Sequence, residues 1–128
     1  MTLIAGGAYS GKTEFAINKF NIKFTDIIDG AECSLEQVFA CRAIRNFQLL
    51  VKRFGTDDGA ALTRTIHQEN PDLIIITNEI GSGIIPMEKS DRIWREETGR
   101  ACCAAAGFSD LVVRMCCGIP TAIKGELP

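Results

Sequence analysis

An apolar run, "MTLIA", is followed at once by "GGAYSGKT", Gly6 to Thr13, and then by "KTEFAINKF". That order constrains the chain more than any other feature. G-x-x-x-x-G-K-[ST] between a strand and a helix is the pattern of a loop that cradles phosphates. Glycines let successive backbone N–H groups converge on the anion, and the helix N-terminus adds partial positive charge. On this pattern Gly6, Gly7, Ala8, Tyr9, Ser10 and Gly11 form the cradle, Lys12 reaches the β and γ phosphates, and Thr13 offers its hydroxyl to Mg²⁺. The nucleotide is ATP or GTP, and the pattern does not choose between them. The competing reading is a Gly-rich strand-to-helix turn with an exposed lysine. Tyr9 is the only tyrosine, and its ring faces either solvent or the base.

The rest of the chain follows a strand–helix alternation. Residues 22–28 are β-branched and aromatic and end before Asp29-Gly30, which predicts a second strand. Ser34 with Gln37 makes a capping box, and Leu35, Val38, Phe39, Phe47, Leu50, Val51 and Phe54 recur at helical spacing, predicting one long helix from 34 to Gly55. A further helix over 59–69 ends before Asn70-Pro71, because proline disfavours a helical predecessor. "DLIIIT" reads as a strand buried on both faces. After the loop "NEIGSGIIP" comes a helix over "MEKSDRIWREETGRACCAAAGF", then a last buried strand, "DLVVRMCC", and a turn with a short extended tail, "GIPTAIKG". Strands alternating with helices predict an α/β fold, a P-loop NTPase-like three-layer sandwich with a mostly parallel sheet. At 128 residues the chain has the length of one domain, spanning 1–128.

Charge and cysteine usage exclude several partners. A formal net charge of −2 without a Lys/Arg block gives no electrostatic footprint for nucleic acid. The sequence shows neither a leader pattern nor an apolar run long enough for a membrane span, so a soluble cytoplasmic protein is expected. Six cysteines lack any C-x-x-C, and the two adjacent pairs, Cys102-Cys103 and Cys116-Cys117, cannot easily serve one metal. They are expected to be reduced and to pack as small hydrophobes.

Phosphoryl transfer needs a carboxylate on the loop's edge of the sheet. Asp29, Glu32 and Glu79 follow predicted strands and meet that condition, whereas Asp72 and Asp110 precede theirs. Asp29 reads either as a metal ligand, direct or through water, or as a turn residue with Gly30. Glu79 reads either as a catalytic or ligand residue or as half of a salt bridge.

"GGAYSGKT", "NEIGSGIIP", the Arg92, Arg95, Glu96 and Gly99 of "R-x-x-R-E-x-x-G", and "GIPTAIK" together resemble the adenosylcobinamide kinase/adenosylcobinamide-phosphate guanylyltransferase family of cobalamin biosynthesis. In that family one protein phosphorylates the hydroxyl of the aminopropanol arm of adenosylcobinamide, then transfers GMP onto that phosphate through a guanylylated histidine. The resemblance implies that Asp29 lies near Mg²⁺ and that Asn78, Glu79 and Gly81 wall the active site. It implies a corrinoid-like small-molecule acceptor and a homo-oligomer, a trimer. Family members carry a segment with the guanylylated histidine between the first helix and the strand ending in Asp; here "FAINKFNIKFTDIID" passes almost directly between them. The only histidine, His67, matches no family position. Glu96 replaces the family's Asp, and Cys102 and Cys103 stand near its amide-bearing positions. The expected activity is therefore a kinase with Lys12 and Glu79 as catalytic residues and no guanylyl transfer, which lacks a nucleophile. The alternative is a non-catalytic nucleotide-binding module derived from the same family.

Overall fold

A computed structural model describes residues 1–80 and 88–128. Six strands form one sheet in the order β2-β3-β4-β1-β5-β6. They are β1 (Thr2–Gly6), β2 (Ile27–Asp29), β3 (Ala43–Arg45), β4 (Ile74–Asn78), β5 (Leu111–Cys116) and β6 (Ile119–Lys124). All pairings are parallel except β5 with β6. The helices are α1 (Lys12–Phe20), α2 (Leu35–Ala40), α3 (Phe47–Phe54), α4 (Gly59–Glu69) and α5 (Lys89–Phe108). None of the helices among the described residues is long and apolar enough to cross a membrane.

The period-2 geometry of the central strands divides the core into two layers. Ile4, Ile76 and Val113 point to one face, where Phe15 and Ala16 of α1 cover them. Leu3, Ile75 and Val112 point to the other, beneath Phe47, Leu50 and Val51 of α3, Ile66 of α4 and Ala101 and Ala105 of α5. β1 lies between β4 and β5, with Ile4 beside Ile76 and Val113. Burial on both faces accounts for the unbroken apolar runs. The architecture is the expected α/β, P-loop NTPase-like sandwich.

Two expectations need correction. The single helix over 34–55 is two helices with a strand between them. The Ser34–Gln37 capping box does start α2. The side-chain amide of Asn70 then donates to the carbonyls of Val38 (2.9 Å) and Cys41 (2.8 Å), taking up the helix's last acceptors. Residues 43–45 add β3 between β2 and β4, and Ala43 and Ile44 become fully buried there. Asn46 adopts φ 56°, ψ 42° and turns the chain into α3, a conformation that asparagine tolerates better than most residues. Sheet pairing thus overrides a helical pattern that is continuous in sequence.

The strand expected over 22–28 begins later. Phe24–Asp26 form a 3-10 turn that Lys23 and Asp26 close, and β2 is only Ile27–Asp29. The extended tail after the last turn is itself a strand, β6, paired antiparallel with β5.

Candidate functional site

The Gly6–Thr13 loop leaves the carboxyl end of β1 and enters α1, as the motif requires. Gly6 is fixed by close approach and Gly11 by its left-handed backbone. A Cβ on Gly6 would sit 2.6 Å from the Met115 carbonyl oxygen and 2.7 Å from Ser10 Oγ. Gly11 has φ 89° and faces the Cα of Gly118 in the β5–β6 turn. The Gly118 amide donates to the Ser10 carbonyl at 3.1 Å, so the hairpin braces the loop from behind. Tyr9 stands at φ 59° with its ring fully in solvent.

Lys12 is buried within its own loop and donates to the Gly7 carbonyl at 2.6 Å and to Ser10 Oγ at 3.4 Å. Burial holds its pKa below the ordinary lysine value, while the Glu79 and Glu14 carboxylates act in the opposite direction. Ala8 to Thr13 form one wall of a cavity of about 380 Å³, and Arg45, Asn46, Ile76 and Asn78 line it from the ends of β3 and β4. The cavity opens on the α1 face of the sheet, where the α1 N-terminus presents backbone N–H groups. Its size and charge suit the phosphates of a nucleotide.

Behind the cavity, one chain of hydrogen bonds crosses three strand ends. The Asn46 amide donates to Asp29 Oδ1 at 3.0 Å, Gln48 donates to Asn46 Oδ1 at 3.4 Å, and the backbone N–H of Asn78 donates to Gln48 Oε1 at 3.0 Å. Gln48 is buried, and its backbone carbonyl accepts from the Trp94 indole at 2.7 Å. α5 is thereby tied to the same edge.

Lys12, Thr13 and Asn78 come together around the cavity. Asp29 does not line it: β2 is the outermost strand, and β3 and β4 lie between it and β1. The Asp29 carboxylate accepts from the Ala31 amide at 2.9 Å, which is the turn reading, and its Oδ2 lies 3.3 Å from Arg45 Nη2. Burial pushes the Asp29 pKa up, but bonds from Asn46 and Ala31 and the Arg45 and Arg53 charges outweigh it and hold the carboxyl below its usual range. At the end of β3, the strand nearer the loop, the structure brings an amide, Asn46, to the cavity.

Glu79 borders a second cavity, about 260 Å³, on the other side of the loop, beside Gly7–Ser10 and Cys116-Cys117. Its carboxylate pairs with Arg114 Nε at 3.1 Å, and its amide donates to the Gly6 carbonyl at 2.9 Å. The salt-bridge alternative is therefore realised. Glu32 lies with Asp29 along a separate groove. Gly81 falls outside the described residues. His67 stacks on Phe108 with ring centroids 4.3 Å apart, near the end of α4 that precedes β4, at the sheet edge opposite the loop.

Arg45 and Asn46 line the cavity and Gln48 supports it from behind, and helical periodicity concealed all three. The signal for them was weak but present: an apolar pair, Ala43-Ile44, between Arg42 and Arg45, then an asparagine before a new apolar run.

The sequence profile of the cobinamide kinase / cobinamide phosphate guanyltransferase family matches residues 28–123. The chain belongs to this family. The match spans well over half of the sequence and starts after the phosphate loop, so loop and profile are independent indications. The family's substrates are a nucleoside triphosphate and a cobinamide. No curated protein matches the chain.

Proposed function

We propose that this chain is a nucleoside-triphosphate-dependent kinase that phosphorylates the hydroxyl of the adenosylcobinamide side arm and performs no guanylyl transfer. The observation that carries the proposal is the cavity shared by the loop, Lys12 and Thr13 with the strand ends of β3 and β4. Its counterpart is the position of the only histidine, at the far edge of the sheet.

In the proposed reaction the loop amides hold the phosphates and Lys12 exchanges its Gly7 carbonyl for phosphate oxygen. The acceptor hydroxyl oxygen bonds to the γ phosphorus as the bond to the β-phosphate oxygen breaks. The nucleoside diphosphate leaves, and the hydroxyl proton passes to water. Such transfer relies on positioning and charge neutralisation more than on covalent chemistry. The charge of Glu79 favours the protonated Lys12 ammonium against the effect of burial, which is its role in the proposal.

Among the described residues no cluster of His, Cys, Asp or Glu side chains could hold a metal by itself. The oxygen donors that line the cavity are all hard: the Ser10 and Thr13 hydroxyls, the Asn46 and Asn78 side-chain amides and the Glu14 carboxylate. They fit Mg²⁺ that arrives on the triphosphate, because that ion keeps waters and phosphate oxygens as most of its ligands. Bound there, Mg²⁺ would supply charge neutralisation to the triphosphate. Asp29 enters the proposal through Arg45 and Asn46, since both of its oxygens already have partners.

The test is incubation with Mg²⁺, ATP or GTP and adenosylcobinamide, following the phosphate ester by mass. The proposal expects product from the wild type and a loss of about a hundredfold or more in Lys12→Ala. Tight nucleotide binding without product would overturn it in favour of the non-catalytic module.

A further inference from the structure

We infer that Arg45 is a phosphate-binding residue for the terminal phosphoryl group of the triphosphate, and that Asp29 is its competing partner when that group is absent. The inference rests on the nucleotide reading of the cavity and adds a residue that the phosphate-loop motif does not contain.

Arg45 lines the same cavity as Lys12 and Thr13 but approaches from the opposite wall, at the end of β3. In the parallel register it stands beside Asp29. Its Nη2 lies 3.3 Å from Asp29 Oδ2, beyond the ~2.7–2.9 Å of a well-made charged hydrogen bond. Its Nε is shut away from water and has no acceptor, so part of a guanidinium built for paired acceptors goes unused. The guanidinium also lies 5.4 Å from the ring centroid of Phe24, an exposed aromatic. That stack steers the group beside the cavity without satisfying its donors. A cation held by one long ion pair and an aromatic face, at the rim of a phosphate-sized cavity, is placed to exchange a carboxylate for a phosphate. Lys12 serves the anion from the loop side, and Arg45 faces it across the cavity. The group nearest Arg45 is then the end of the triphosphate away from the loop.

Calorimetry with the Mg²⁺ complexes of a non-hydrolysable triphosphate analogue and of the matching diphosphate tests this, with far-UV circular dichroism to check folding. Arg45→Ala should weaken the triphosphate by about tenfold or more and the diphosphate by less than about threefold. Arg45→Lys keeps the charge but loses the fork and should fall between them. Asp29→Asn can still accept from Ala31 and Asn46, and by freeing Arg45 it should bind the triphosphate more tightly than the wild type. Equal losses for both nucleotides in Arg45→Ala overturn the inference while leaving the nucleotide site intact. So does a loss of triphosphate affinity in Asp29→Asn, which decides the matter even if Arg45→Ala does not fold. A wild type that binds neither nucleotide overturns this inference together with the proposed function.

Discussion

Asn46 and Asp29, seventeen residues apart in sequence, meet through a 3.0 Å hydrogen bond from amide to carboxylate that joins the ends of the two outer parallel strands. The contact exists only because β3 pairs with β2. It fixes the strand end that lines the cavity beside the Gly6–Thr13 loop.

Asn46→Asp would replace a donor with a second negative charge beside Asp29. The variant should lose about 1–3 kcal/mol at neutral pH, measured by urea denaturation. In the wild type, Asp29 has a depressed pKa, so its contribution is complete above the ordinary carboxylate pKa and is lost as pH falls through the depressed one. Asp29→Asn should flatten that acid limb.

Lys12 gives the opposite limb. Burial lowers its pKa in the free protein, and bound phosphates favour the charged form, so binding raises it. Nucleotide affinity should therefore fall as pH rises through the free-state pKa, which lies below the ordinary 10.5. Glu79→Gln removes the larger of the two charges that favour the ammonium and takes the ion-pair partner from Arg114, so the fall should begin at lower pH. Calorimetric titrations across the alkaline range read both effects.

Much of this was legible in the sequence because the signals were local. The Gly6–Thr13 loop between β1 and α1, the strands around Ile75 and Val112, and the place of Asn78 at the end of β4 with Glu79 just past it follow from short motifs and unbroken apolar runs. β3 was not legible: Val38 and Phe39 on one side and Phe47, Leu50 and Val51 on the other satisfy a helical period straight across it. What breaks the helix is remote, namely the Asn70 amide on the carbonyls of Val38 and Cys41. With β3 hidden, Arg45 and Asn46 had no visible reason to reach the cavity.

Gly6→Ala should be costly and Gly7→Ala should not. A Cβ at Gly6 would lie 2.6 Å from the Met115 carbonyl oxygen, whereas one at Gly7 meets nothing within 4 Å. A cost of about 1–3 kcal/mol is expected for the first and under about 0.5 for the second, read from thermal unfolding.

The cysteines should divide by burial. Cys103, Cys116 and Cys117 are exposed. Burial pushes the Cys41 and Cys102 thiols up to about 11 and raises Cys33 as well. A disulfide reagent at pH 8 should therefore modify three thiols quickly and the other three only on unfolding. Fast reaction of Cys102 would contradict the packing of α5.

The most direct measurement follows both ends of the triphosphate in one reaction: GTP labelled at the α and γ phosphorus, with Mg²⁺ and adenosylcobinamide. A kinase without a guanylyl nucleophile predicts γ label on the corrinoid and no α label on either protein or corrinoid. Label from the α phosphorus on the protein or the product, or no transfer of either label, would contradict it.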